Sequence, residues 1–192
     1  QVVTDNDILM SKQAWGETKR DKSVEDGSLT IAGVTYTSGL GTHATSMIRA
    51  TVPSDAKYLR GGCGIDDEVT VTDSIYATIK FQILSGSEVL WSSEIMKKGD
   101  PASNFIVPIP KGCTVLFLLA DQVDENFCDH GDWVNLEWVT DDSSATIKSQ
   151  EGELIHHKKA SEQLEDKSQE GELIHHKITV KLLEDKFADS GE

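Results

Sequence analysis

The sequence predicts an all-β sandwich of about eight or nine strands. Three observations carry that expectation. Short apolar runs with a period of two recur along the first 140 residues. Gly, Pro, Ser and Asp clusters separate them at short intervals. No stretch holds a 3.6-residue apolar period long enough for a substantial helix.

Taken in order, Asp5 to Ser23 is polar, with Trp15 and Gly16 at its centre, and reads as an irregular loop. Its large aromatic favours a place capping the core. The alternative is a role on the surface, stacking on the C–H face of a sugar with Glu17 and its charged neighbours taking hydroxyls. Ser28 to Thr37 alternates Leu29/Ile31 and Val34/Tyr36 around Ala32-Gly33, a strand pair with a tight turn or one kinked strand. The Gly39-Leu40-Gly41 turn then delivers His43 just before a strand from Met47 to Val52. Lys57 to Ile65 is a strand whose glycines at 61, 62 and 64 suggest bulges or close backbone approach. It runs into Asp66-Asp67-Glu68, a solvated turn or a set of oxygen ligands.

Tyr76 to Leu84 places Ile79, Phe81 and Ile83 on one face and Lys80 and Gln82 on the other, as a half-buried strand does. Ser85-Gly86-Ser87 turns it into Glu88 to Ser92. In Asn104 to Ile109 the proline at 108 argues for a sheet edge. Cys113 to Ala120 is apolar on both faces and should be central. Trp133 to Val139 closes the domain. Before it, the stretch from Leu119 to Trp138 crowds Asp121, Asp124, Glu125, Asp129 and Asp132 with His130 and Trp133. Charges this close need hydrogen bonds or a counter-ion, so the stretch reads as one wall of a ligand site.

Composition narrows the function. Net charge is −15, of which residues 1–140 contribute −9 and residues 141–192 contribute −6. A polyanion without a basic patch is poorly suited to nucleic acid, whose phosphates are bound by Lys and Arg. No 18-residue apolar run is present to span a membrane. The chain starts at Gln1 rather than Met, as a mature secreted protein or a cut piece would, and a secreted or extracytoplasmic location is expected. Three cysteines allow one disulfide or none, and buried free thiols are the simpler reading. There is no Gly-x-Ser-x-Gly, phosphate loop or dinucleotide fingerprint. Paired carboxylates are plentiful, so a small glycosidase stays open as the lesser reading.

After Val139 the composition shifts. Residues 149–167 and 168–186 are copies of a 19-residue unit identical at 14 positions. Two copies do not make a repeat-protein core. The division expected is a sandwich over 1–140 and a linker with repeat tail over 141–192, the second copy suggesting an added strand.

Five pieces together resemble the NPCBM domain, carbohydrate-binding module family 51. They are AWGETKRDKS (14–23), LTIAGVTYTSGLGTHATSMI (29–48), GCGIDDEVT (62–70), FQILSGSEVLW (81–91) and DHGDWVNLEW (129–138). The resemblance implies a jelly-roll sandwich of the galactose-binding-like type. It implies no catalysis, recognition of galactose-type glycans by loops at one end, and a parent glycoside hydrolase. Carried onto this sequence, the ligand-binding positions are Trp15, Glu17, His43, Asp66, Asp67, Glu68, Asp129, His130 and Trp133. Structural calcium fits modules of this shape, with Asp121, Asp124 and Asp132 as its candidate ligands. A structural or protein-interaction sandwich without sugar binding is the competing reading.

Overall fold

The computed structural model describes residues 1–70, 77–123, 128–142, 147–148 and 154–155. The 149–186 repeat and Asp124 therefore fall outside the described residues, except for 154–155. Chain contacts divide the molecule into a unit from Gln1 to Ile155 and a second from His156 to Glu192.

Two five-stranded antiparallel sheets face each other. One runs in the order β1 (Ile8–Gln13), β6 (Ser46–Thr51), β11 (Val115–Gln122), β8 (Thr78–Ser85), β9 (Glu88–Lys97). The other runs β10 (Ser103–Pro108), β7 (Tyr58–Ile65), β12 (His130–Val139), β5 (Gly39–His43), β2 (Lys19–Arg20). Two short hairpins complete the described strands: β3 (Leu29–Ile31) with β4 (Val34–Tyr36), and β13 (Ile147–Lys148) with β14 (Leu154–Ile155). Among the described residues no helix is long and apolar enough to cross a membrane.

The core lies where the inner faces meet. Ile79, Phe81 and Ile83 of β8 and Leu116, Leu118 and Ala120 of β11 come from one sheet. Leu40, Cys63, Phe105, Trp133, Leu136 and Trp138 come from the other. Trp133 is fully buried and meets Phe81 edge-on at 5.1 Å and Phe105 at 6.0 Å, a favourable geometry for aromatic quadrupoles. Pro108 ends β10, an edge strand, where its missing N–H costs no ladder bond. β11 is the middle strand of its sheet, as its two-sided apolar run requires.

Several local expectations change. The 5–23 segment is not one irregular loop, because β1 and β2 lie within it and pair with β6 and β5. Alternation in β1 is hidden by Ser11, Lys12 and Gln13, polar residues that pair with Ile48, Met47 and Ser46 of β6. Gly39 to His43 is a strand rather than a turn. In β8, Gln82 is buried along with the apolar residues, its amide bonded to the Ser92 hydroxyl at 3.4 Å, so the strand is covered on both faces. The 119–138 stretch is mostly strand, and only residues 123–129 connect β11 to β12. All three cysteines are free thiols, and burial raises the Cys63 pKa well above its usual value.

Glycines give the second sheet its unusual outer face. A Cβ at Gly39 would stand 2.2 Å from the Trp133 carbonyl oxygen, and one at Gly41 2.3 Å from that of Lys22. At Gly64 it would be 2.6 Å from Ile31. The bare backbone at 41 and 64 lets the segment from Lys22 through the β3–β4 hairpin lie directly on the sheet. Leu29 and Ile31 form a small second core there with Val134. β12 carries a bulge between Val134 and Glu137, where Asn135 takes a left-handed φ of 50° that Asn tolerates better than most residues. The bulge reverses the strand's facing. Gly131 and Trp133 point inward before it, and Leu136 and Trp138 point inward after it. Before the bulge, His130, Asp132 and Val134 therefore belong to the outer face.

Candidate functional site

His43 ends β5 and His130 begins β12, and the two are direct cross-strand partners. Both side chains consequently project from the same face. Their ring centroids lie 5.3 Å apart. Each ring is held by its Nδ1. His43 Nδ1 lies 2.6 Å from the Ala44 carbonyl oxygen, which only accepts, so Nδ1 carries the proton and donates it. His130 Nδ1 lies 2.9 Å from Glu68 Oε1 and donates to that carboxylate. In the neutral rings, Nε2 is then the remaining acceptor on both. Burial lowers the His43 pKa, the Ala44 carbonyl opposes that, and His130 adds to it, so His43 stays neutral further into the acid range.

Trp15 covers this pair. Its indole stacks parallel to His130 at 6.0 Å and meets His43 edge-on at 5.6 Å, while 53% of the residue is exposed. A large aromatic so open to water yet ordered against two imidazoles is not a core cap, which corrects the reading favoured by residue type. Gln13 fixes the loop. Its Nε2 donates to the Trp15 carbonyl at 2.6 Å, while Oε1 accepts from Thr18 at 2.9 Å and from Thr42 at 2.7 Å. Gln13 escaped the sequence reading because nothing local marks a glutamine as the brace between a loop and a distant strand.

Glu68 is held in turn. Burial raises its pKa, but the hydrogen bonds from His130 and Ser23 outweigh that, and the carboxylate lies below its usual range. The Ser23 hydroxyl donates to Oε2. Glu25, Glu68 and His130 each offer a ligand atom within 4.8 Å of one another. Neither Ser23 nor Glu25 carried a sequence signal beyond a polar loop.

The other acids shape the backbone. Asp66 is buried and accepts from the Thr30 N–H at 3.1 Å and the Glu68 N–H at 2.7 Å. Asp67 accepts from the Gly33 N–H at 2.7 Å, and Lys98 Nζ donates to the Asp67 carbonyl at 2.7 Å. Asp129 is fully buried and accepts from the Thr78 N–H at 2.9 Å. These bonds are the ordinary way Asp ties turns. Two expected ligand positions are thereby corrected: Trp133 and Asp129 offer no surface to a sugar, because one fills the core and the other anchors β8. Asp66 acts through the turn it holds. Glu17 is exposed in a polar groove with Ser11, Lys12, Gly16 and Thr18 rather than against the histidines.

The expected calcium ligands do not converge. Asp121 projects from the outer face of the first sheet, since Leu118 and Ala120 of the same strand face inward, and it accepts from Thr45 at 3.3 Å. Asp132 projects from the outer face of the other sheet. The two stand on opposite sides of the sandwich and cannot share an ion; Asp124 is not described. Asp132 has its own electrostatic demand. It is 1% exposed, and neither carboxylate oxygen meets a hydrogen-bond donor among the described residues. Burial, then the carboxylate of Asp66 within bonding reach, then Glu68 and Asp67, push its pKa well above the usual value. A proton or a hard cation is needed between Asp132 and Asp66, and carboxylate oxygens suit calcium.

Residues 1–138 match the model of the NPCBM/NEW2 domain. The chain belongs to the NPCBM/NEW2 family. It is 45% identical over 149 residues to alpha-1,3-galactosidase B of Akkermansia muciniphila, covering 76% of the chain and 18% of that protein. With a putative endo-alpha-N-acetylgalactosaminidase of Renibacterium salmoninarum it shares 30% over 142 residues, 71% of the chain and 9% of that protein. This NPCBM chain thus spans less than a fifth of the length of those curated relatives. Among solved structures, the CBM51 module of a Clostridium perfringens GH95 protein in complex with methyl-galactose superimposes with a TM-score of 0.62. Identity is 26%, and the match covers 69% of the chain and 94% of that module. The CBM51-2 and INT domains of Clostridium perfringens ZmpB, in complex with GlcNAc, share the fold with a TM-score of 0.63. Identity there is 20%, over 68% of the chain and 29% of that one. The NPCBM domain is therefore a jelly-roll sandwich of the expected type.

Proposed function

We propose that the NPCBM domain binds carbohydrate of the galactose type without cleaving it, at the rim where Trp15 overlies His43 and His130. The single observation behind this reading is that trio. An exposed indole supplies an apolar platform for a pyranose C–H face. Beside it, the Nε2 lone pairs of two imidazoles whose ring centroids lie 5.3 Å apart accept from neighbouring hydroxyls. Glu68 and the Ala44 carbonyl hold the rings in the accepting tautomer, so the donors they need come from the ligand. The methyl-galactose complex of the GH95 module and the galactosidase named among the relatives support the sugar class. A shallow site of this kind gives monosaccharide affinities of roughly 10 µM to 1 mM, about −7 to −4 kcal/mol.

The same reading makes the domain a secreted, non-catalytic piece that holds a parent glycoside hydrolase on its substrate. A structural calcium belongs to it as well, held by Asp66 and Asp132 instead of the 121–132 set. Glycan-array screening followed by calorimetry with methyl-galactoside and methyl-glucoside tests the assignment. Galactoside binding abolished by His43→Ala is the expected result. Silence from a folded sample would favour an interaction module, and released reducing sugar would favour a glycosidase.

A further inference from the structure

We propose that His43 and His130 form a binding site for a borderline divalent metal of the zinc class, through their two Nε2 atoms. The cross-strand pairing places both imidazoles on one face at 5.3 Å between ring centroids. With Zn–N bonds of about 2.0–2.1 Å and a tetrahedral angle, two imidazoles on one ion stand about 5 Å apart by ring centre. The pair is already at that spacing.

The nitrogens behind the rings strengthen the assignment. Metal-bound imidazole almost always donates its other N–H to a carboxylate or a backbone carbonyl, which fixes the tautomer and raises the basicity of the ligating nitrogen. Here one ring has each kind of partner: Glu68 behind His130 and the Ala44 carbonyl behind His43. The Ser23 hydroxyl donates to the other oxygen of that carboxylate and so holds it in place behind His130. Imidazole nitrogen selects zinc, copper or nickel over calcium, so this site differs in chemistry from the carboxylate pair of Asp66 and Asp132. Protein supplies two ligands, and water completes the shell under Trp15.

The site stands on this geometry and not on the carbohydrate reading. Its corollary does rest on that reading: an ion on both Nε2 atoms removes the acceptors a sugar would use, so metal and glycan exclude each other.

Zinc-titration calorimetry tests it, on the full chain with His156, His157, His175 and His176 replaced by alanine. These are the other four of the six histidines. Calcium is kept in the buffer to occupy oxygen sites. One zinc per chain is expected, weakened at least tenfold by His43→Ala or His130→Ala. Glu68→Gln, which changes a positioning residue, should weaken it about tenfold or more. Cobalt(II) in place of zinc should show visible absorption bands of nitrogen ligation that His43→Ala removes. Protection of both histidines by zinc from diethyl pyrocarbonate, mapped by mass spectrometry on the unaltered full chain, covers the case in which a variant fails to fold. Absence of zinc uptake, uptake unchanged by a folded His43→Ala chain, or no protection would each overturn the site. Sugar binding is measured separately, so its presence or absence leaves the zinc result readable.

Discussion

The loop at Trp15 and the strand at Trp133 each present an indole close in sequence to acidic side chains, and they use it in opposite ways. Trp15 follows β1, which pairs by backbone and leaves its loop to be braced by one glutamine. Trp133 sits on β12 before the bulge, facing inward, and no part of it reaches water. One step along β12 the facing reverses, so His130 and Asp132 lie on the outer face of the sheet, beneath the segment that covers it, while Gly131 and Trp133 face the interior. Parity along β12, rather than proximity to polar residues, puts Trp133 in the core and its neighbours Asp132 and Val134 on the outer face, whereas Trp15, on a loop, is free of that constraint.

Trp133→Ala should have the largest effect, on the fold. Removing a fully buried indole costs about 3–5 kcal/mol, and urea denaturation should show a large loss of midpoint. A variant as stable as its parent would deny Trp133 its place in the core. Trp15→Ala should act on binding instead. Galactoside affinity should fall tenfold or more in calorimetry, while the unfolding free energy changes by less than about 0.5 kcal/mol, as for exposed positions generally. Equal loss of stability in the two variants would erase the distinction.

Beneath the rim, calcium should raise the melting temperature of the parent, and Asp132→Asn should remove most of that response. An unaltered response in the variant would move the ion elsewhere. The smallest effect concerns Glu68. Its folded pKa is held below the unfolded value, so it contributes stability that is present above about pH 4.5 and lost as pH falls through the folded pKa. Glu68→Gln should flatten that acid limb in melts between about pH 5 and 3. An unchanged slope would mean that the bonds from His130 and Ser23 do not favour the charged form.

Much of the sandwich was legible in the chain. Alternation located β8 and β12, short apolar runs between turn residues located β7, β10 and β11, and the two-sided apolar run of β11 and the proline of β10 placed those two at centre and edge. β1, β2 and β5 were not legible, because strands built from polar residues or alternate glycines show no hydrophobic alternation. Within the site, His43, Glu68 and His130 were marked by residue type. Gln13 and Ser23 were not, since each acts on a residue more than one strand away.

Composition and periodicity by themselves determined the fold class, the polyanionic character and the set of polar residues from which a site could be made. Those properties depend on which side chains can be buried and on local backbone preference. Which members of that set face water was decided only in three dimensions. Glycines at 39, 41 and 64 let a covering segment lie on the sheet, and a single left-handed residue at Asn135 fixed the facing of everything before it. Because strand side chains alternate, that one extra residue separates a tryptophan of the core from a histidine at the rim, and no local pattern announces where it falls.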